Sequence, residues 1–440
     1  MRLTLGLLIL AAAVVGSMGA VHAEEVVTLS VEQAVQEAFQ VNDQLRAARA
    51  RAEAAADTSR STRGQLGPVL NVNEQWQHWD SPFVINLSGQ PSGGVTARNI
   101  NSNTLSLSAN QPVLGLIHLG FSVASANQAA DASHSEAQAA AASVGEQVRT
   151  TYLRLFEARA QTGIARASVE ELRQQVQDAE ARYRAGTITN ADLLRFQTAA
   201  ANAQQQLIQA QTDALIYRQG LLTYLARNPE DTSIEFVEPV ELERVAAEPV
   251  PQSVDSLINQ SLGVRPEVHR AQAQAESAHD NDKALFTALL PEVNVQAAYQ
   301  WTRGQIFYPE NAAYIGIFVN WNFWTWGTQY YAAKSAERQA DAADAVAQDA
   351  RRQAAYDVSS RYAQLKAQFV AVEVAETAIK SAEEAYRVTA AQVQAGIGTT
   401  TDLLDAQSAL TTARLNLARA KYERAVARVA LDRVTGSPPP

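Results

Sequence analysis

The chain has 440 residues, a formal net charge of −10, no cysteine and six histidines. Without cysteine it has no disulfide, thiolate metal site, thiol nucleophile or cysteine-linked lipid anchor. The acidic balance speaks against nucleic acid as a partner, because such binding needs clustered Lys and Arg to displace counterions.

Residues 1–23 read as a secretory signal: Arg2, an almost unbroken apolar run from Leu3 to Val15, and Val21-His22-Ala23 ahead of Glu24. Beyond it no stretch approaches the roughly 18 apolar residues that a spanning helix needs. From Val31 to Leu66 the pattern is helical, with Ser30 as N-cap and Pro68 as the boundary. Then Leu70, Val72 and Trp76 alternate with Asn71, Asn73 and Gln75, which predicts a strand over about 69–79. Leu105, Leu107 and Ala109 alternate with Ser106, Ser108 and Asn110 in a second strand over about 104–114.

No proline interrupts the chain between Pro112 and Pro229. Val144, Val148, Thr151, Leu155, Ala158, Thr162, Ala165, Val169, Leu172, Val176, Ala179 and Tyr183 keep a 4-3 spacing, the seam of a coiled coil. A helix from Leu119 to Arg184 runs roughly 100 Å at about 1.5 Å per residue. After a turn at Gly186 to Asn190, the return arm Ala191–Arg227 covers roughly 55 Å, so two short helices stacked end to end match one long one. The Pro- and Glu-rich linker 228–252 is then expected to cross near the middle of the rod.

The order repeats from 253 to 436: helix, strands over about 292–302 and 313–325, long helix, return helix, and a tail at 437–440. Gly67-Pro68-Val69-Leu70-Asn71-Val72 matches Leu290-Pro291-Glu292-Val293-Asn294-Val295 at an offset of 223. Gly186 through Asp192-Leu193-Leu194 matches Gly396 through Asp402-Leu403-Leu404 at an offset of 210, which also relates Asn110 to Asn320. The length difference falls between Pro68 and Asn110, read here as a surface loop. The 24–227 and 253–436 segments are thus two tandem repeats, mainly α with a β-barrel part.

All six tryptophans, Trp76, Trp79, Trp301, Trp321, Trp324 and Trp326, lie in or beside these strands, where aromatic residues mark the interfaces of a membrane barrel. Four strands cannot close a barrel, and an open sheet in lipid leaves two rows of unpaired backbone groups at several kcal/mol each. Two copies give a minimal barrel of about eight strands, and three give about twelve strands with an open lumen.

Arg265-Pro266-Glu267-Val268 and the tips Ala185-Gly186-Thr187-Ile188-Thr189-Asn190-Ala191-Asp192-Leu193-Leu194 and Gly396-Ile397-Gly398-Thr399-Thr400-Thr401-Asp402-Leu403-Leu404-Asp405-Ala406-Gln407, in this layout, resemble the outer-membrane efflux protein family, the TolC-like outer-membrane factors. The resemblance covers essentially the whole chain after the signal. It implies a homotrimer in the outer membrane of a Gram-negative bacterium, closing a 12-stranded barrel and a periplasmic helical tunnel. It also implies docking by a periplasmic adaptor and an inner-membrane transporter, as the exit duct of tripartite efflux or type I secretion. By the same resemblance Asp402 and Asp405 match the ring aspartates of the periplasmic gate, and Asp192 a partner on the neighbouring coiled coil. The family's gate tyrosine and arginine do not carry over, since Val393 and Gly398 stand there. Arg195, the repeat counterpart of Asp405, is expected to pair with Asp405 of the next hairpin. Gly186, Thr187, Ile188, Thr189, Gly396, Ile397, Gly398 and Thr399 form the tips expected to meet the adaptor.

Enzyme signatures are missing: no HExxH, phosphate-binding GxxxxGK[ST] loop or GxSxG elbow occurs. No cofactor and no metal are expected. A soluble periplasmic coiled-coil scaffold or adaptor is the alternative; it explains the heptads but not the amphipathic strands.

Overall fold

The computed structural model describes residues 27–86, 94–239, 249–250 and 253–436. The expected signal (1–23), part of the linker and the 437–440 tail lie outside the described residues. In chain order the elements are β1 (Val27–Leu29), α1 (Val31–Val41), α2 (Asp43–Gly64), β2 (Val69–His78), β3 (Phe83–Asn86), β4 (Gly94–Pro112), α3 (Gly115–Arg184) and α4 (Asn190–Tyr224). There follow β5 (Ile234–Phe236), α5 (Val254–Val264), α6 (Pro266–Thr287), β6 (Glu292–Gln305), β7 (Asn311–Asn320), α7 (Thr328–Gln394) and α8 (Thr400–Thr435).

The first helix is not continuous, as the sequence pattern suggested, but breaks at Asn42. That residue caps both sides: its backbone N–H donates to the Ala38 carbonyl, and its side chain accepts from the Gln44 and Leu45 amides. Ser30 is the N-cap, in a capping box with Gln33. The second repeat has the same break, made differently, between α5 and α6 at Arg265-Pro266, where proline takes the first helical position.

α3 is 70 residues long and α7 is 67, which sets the long axis at roughly 100 Å. Along α3 the expected seam is buried at Val144, Val148, Leu155, Ala158, Ala165, Val169, Leu172 and Ala179 and half-buried at Thr151, Thr162 and Val176, but Tyr183 is exposed, so the seam frays one turn before the tip. Alanine dominates the buried positions of α7, including Ala333, Ala336, Ala340, Ala347 and Ala354. Small side chains let neighbouring helices approach closely, and they leave little apolar area to hold them.

The densest core lies at the middle of α3. Tyr152 and Phe156 pack there with Leu221, Leu222 and Leu225 of the first return arm, Phe236 of β5, and Tyr422 and Ala425 of α8. The Tyr152 hydroxyl sits between the Leu29 carbonyl at 2.9 Å and the Val237 carbonyl at 2.5 Å. β1 and β5 pair in parallel beside it, so the linker strand crosses the rod near its middle. Sequence periodicity had not marked Tyr152, Leu153 or Phe156, which lie off the seam and face the linker.

Ion pairs tie the two repeats together at this level. Arg154 binds Glu157 at 2.6 Å and, across to α8, Glu423 at 2.7 Å. Arg433 of α8 reaches Glu146 of α3 at 3.2 Å and Glu267 of α6 at 2.8 Å. Burial pushes the Tyr422 phenol up to about 12, with the Glu238 and Glu157 carboxylates adding to the effect.

Candidate functional site: sheet faces and helical tips

At one end of the rod the strands form one sheet in the order β2-β4-β6-β7, with β3 paired to β4. The sheet is antiparallel throughout. Two expectations need correction here. β4 begins at Gly94 rather than about 104 and pairs with β3, so part of the predicted loop is a hairpin extension. β7 ends at Asn320 rather than about 325, so Trp321, Phe323, Trp324 and Trp326 lie in the connection to α7. Trp326 at φ 52° and Gly327 at φ 81° turn the chain there, a left-handed pair that no strand accommodates.

Cross-strand register sorts the side chains. Val72 lies opposite Leu107, Leu107 opposite Tyr299, and Ala297 opposite Ile315, so these share one face with Leu70, Val295, Ile317 and Val319. That face is bare: Val72 is 72 % exposed and Ile315 is 78 % exposed. The opposite face carries Asn71, Asn73, Ser106, Ser108, Gln296 and Gln300. Tyr314 and Phe318 also project to it, two aromatic residues in contact that the alternation had not placed there.

The height of the apolar face can be estimated. β6 and β7 pair from Glu292–Asn320 to Trp301–Asn311. At about 3.4 Å per residue and a tilt of about 40°, this ladder rises roughly 24 Å, close to the apolar band of an outer-membrane barrel. Tryptophans flank it. At one end the Arg303 guanidinium lies 4.8 Å from the Trp301 ring and Arg98 lies 3.6 Å from that of Trp79. Trp76 is exposed on the same end. At the other end Trp321 donates to the Leu289 carbonyl, and Trp324 meets Trp326 edge to face. An apolar body with one polar contact suits the boundary between lipid and water. Among the described residues of the single chain, β2 and β7 each pair on one side only.

At the far end both tips use one design. After α3, Gly186 at φ 73° lets the Thr187 amide donate to the Arg182 carbonyl and its own amide to Tyr183, a Schellman turn. Gly396 at φ 75° does the same, with Ile397 donating to Gln392 and Gly396 to Val393. Each return helix then opens on a capping box, Thr189 with Asp192 and Thr399 with Asp402. The aspartates stand at the third helical position. Hydrogen bonds from the Thr189 side chain and backbone, with a smaller contribution from Arg195, hold the Asp192 carboxyl below the usual range. The Thr399 side chain and backbone do the same for Asp402. Ile188 is half-buried, whereas Thr187, Thr189, Gly396, Ile397 and Thr399 are exposed, Ile397 at 79 %.

Gly398 has a steric role. A β-carbon there would lie 3.0 Å from Val393 Cγ2 and 3.1 Å from the Val393 backbone nitrogen. The two positions at which the family's gate residues fail to carry over are therefore packed on each other.

Within the chain Arg195 donates to Thr401 Oγ1 at 2.7 Å and lies 3.7 Å from the Asp192 carboxylate. Asp405 is not brought to Arg195; it lies exposed on the groove between α7 and α8. The expected Arg195–Asp405 contact is thus not made inside one chain, where the Thr401 hydroxyl takes the guanidinium. No helix among the described residues is long and apolar enough to cross a membrane, and no His/Cys/Asp/Glu cluster that could hold a metal ion occurs among them.

A two-faced sheet with open edges on a long helical rod defines a class of outer-membrane channel protein. Comparison with known proteins agrees: the family model described as "Outer membrane efflux protein" matches residues 34–227 and 257–437, one stretch per repeat. The chain belongs to this family, the TolC-like efflux channels of the Gram-negative outer membrane, which are not enzymes. It is 26 % identical over 296 residues to outer membrane efflux protein BepC of Brucella suis biovar 1, covering 66 % of this chain and 62 % of BepC. It is 23 % identical over 302 residues to outer membrane protein TolC of Vibrio cholerae, covering 66 % of this chain and 67 % of TolC. Its fold is similar to that of VceC, an outer membrane protein of Vibrio cholerae, with a TM-score of 0.79 at 19 % identity over 92 % of this chain and 96 % of VceC. The matched region thus spans about two thirds of either curated relative. Outer-membrane location removes the soluble-scaffold alternative.

Proposed function

We propose that three copies close a 12-stranded barrel and a helical tunnel, and that this passive duct carries substrates out of the cell in a tripartite efflux or type I secretion system. The observation that carries this reading is the sheet: one face is apolar and bare, the other is polar, and among the described residues the β2 and β7 edges lack partners. Pairing β2 of one copy with β7 of the next satisfies both edges and turns the apolar face to lipid. Two copies would give about eight strands, a barrel filled by its own side chains, whereas three leave an aqueous lumen. Planar bilayers with the purified oligomer test it: stable conductance steps are expected, and an intact oligomer that inserts without conducting would contradict a duct.

The tips are the periplasmic gate and the adaptor-docking end. Asp192, Asp402 and Asp405 supply the negative charge, and Arg195 of one hairpin holds Asp405 of the neighbouring copy. Single-channel conductance of Asp405→Ala and Arg195→Ala tests the latch, which predicts a larger conductance for each; values equal to the parent remove it. Ile397, Thr187 and the glycine turns offer a compact surface to an adaptor hairpin. Bulky substitutions at Thr187 or Ile397 are expected to impair efflux while oligomers still reach the membrane, and unchanged drug tolerance would count against docking there.

A further inference from the structure

At one end of the sheet a tryptophan and an arginine lie over the polar face. Ser102 of β4 and Thr302 of β6 belong to that face, as their partners Gln77 and Thr104 do, yet each is only 3 % exposed. This end is the farthest from the helices, so it is the outer mouth of an outer-membrane channel. Trp79 lies over Ser102, its indole N–H donating to the Ser102 hydroxyl at 3.3 Å. Arg98 in turn lays its guanidinium on the Trp79 ring, 3.6 Å from the centroid.

The backbone explains this aim. β4 and β6 pair Arg98 with Gln305 and then Asn103 with Arg303, so residues 99–102 stand against Gly304 alone. Such a bulge bends its strand and redirects the side chains beside it. Gly304 permits it: its φ is 80°, and a β-carbon there would collide with the Asn101 carbonyl.

Charge separates Arg98 from the rest of this face. From Gln77 and Thr302 toward the helices the polar face is built mainly from Asn, Gln, Ser and Thr, and its one charged residue among the described ladders is Glu292, at the helix end. Arg303 is no second cation for it, because it shares the apolar face with Trp301 and lies 3.6 Å from Glu310. A guanidinium keeps its charge at any working pH. The Nε of Arg98 is buried and has no hydrogen-bond partner among the described residues. A fixed cation with an unused donor suits an anion.

We infer that Arg98 is an anion site at the outer mouth of the duct, for phosphate-bearing solutes that enter the lumen from outside. This rests on the trimeric reading, in which three copies set three guanidiniums around one exit. Trp79 is the positioning residue, since its ring holds the guanidinium over the polar face. The duct then carries opposite charge at its two ends, aspartates at the tips and arginines at the mouth. A narrow, low-dielectric wall focuses such a field on whatever enters.

Single-oligomer conductance in planar bilayers tests the site, with inorganic tripolyphosphate in divalent-free buffer as the probe. In the parent, tripolyphosphate added on the barrel side is expected to block at a lower concentration than on the tip side. Arg98→Gln should raise the half-blocking concentration on the barrel side about tenfold, through loss of charge alone. Arg98→Lys should keep most of the block, and Trp79→Leu, which keeps the charge but removes its platform, should fall between. In a KCl gradient the reversal potential of Arg98→Gln should move toward cation selectivity. Asp80→Asn, a charge of opposite sign next to Trp79, should leave that potential alone or move it the other way. Equal block from both sides of the parent, or the same shift in Arg98→Gln and Asp80→Asn, overturns the anion site and leaves a conducting duct intact. An intact oligomer that never conducts removes the duct reading and the site with it.

Discussion

The equator and the sheet use similar side chains in opposite ways. At the equator Tyr152, Leu155, Leu221 and Leu222 are essentially without contact with solvent. In the sheet Leu70, Val72, Ile315 and Ile317 are mostly bare. Hydrophobicity alone does not separate the two regions; what separates them is the medium each faces. The equator excludes water from a point where two repeats, a linker and an N-terminal strand converge. Among the described residues no second layer covers the sheet, and its apolar face matches a lipid band in height. Burial inside one chain marks a core only where the surrounding medium is water.

The largest expected effect lies at the equator. Tyr152→Ala removes a ring packed on Phe156 and Phe236 and strips the Leu29 and Val237 carbonyls of their partner. The cost is about 3–5 kcal/mol, read as a lowered unfolding midpoint of the helical region. Tyr152→Phe, which keeps the ring, is expected to cost about 1–3 kcal/mol from the hydroxyl alone. If both variants unfold like the parent, the equator is not the anchor of the rod.

Next comes the sheet, where the two faces predict opposite outcomes. Ile315→Arg places a charge on the lipid side and is expected to cost about 2–4 kcal/mol, seen as reduced folding into bilayers of defined thickness. Ser106→Arg on the other face is expected to fold normally and to change ion selectivity instead. Equal effects of the two substitutions would mean that both faces meet the same medium.

The tips give a smaller effect. Thr189→Ala removes an N-cap and is expected to loosen the first turn of α4 by about 1 kcal/mol, detected as faster amide exchange at Asp192 and Leu193. Smallest is the pH response. Asp192 and Asp402 have carboxyls lowered from 3.8 by hydrogen bonds to the cap threonines. A lowered carboxyl contributes stability that is present above the unfolded value and is lost as pH falls through the folded one. Tip amides should therefore keep their protection at pH 5 and lose it only below about pH 4. Loss of protection between pH 7 and 5 would assign the caps to another group.

Much of this architecture was legible in the sequence because it is periodic. The 4-3 spacing found the seam, alternation found the four main strands, and the doubled tip motif found the repeats. Non-periodic features were not legible. Asn42 ends one helix and starts the next through its own side chain, which no apolar pattern records. Phe83–Asn86 extends a hairpin whose register is irregular, so alternation failed there. The Tyr152 cluster depends on the linker returning to the middle of α3, a contact across 85 residues. At the tips, residue types were readable but pairings were not. Arg195 found a threonine in its own chain, because the nearest hydroxyl on the adjacent hairpin lies one turn before the aspartate.

The central claim is that this sheet is complete only in a closed assembly. Sedimentation of the detergent-solubilised protein, with bound detergent matched by density, measures the mass of that assembly directly. The account predicts three chains per particle and precipitation when detergent is withdrawn; a monodisperse single chain, soluble in plain buffer, would contradict it.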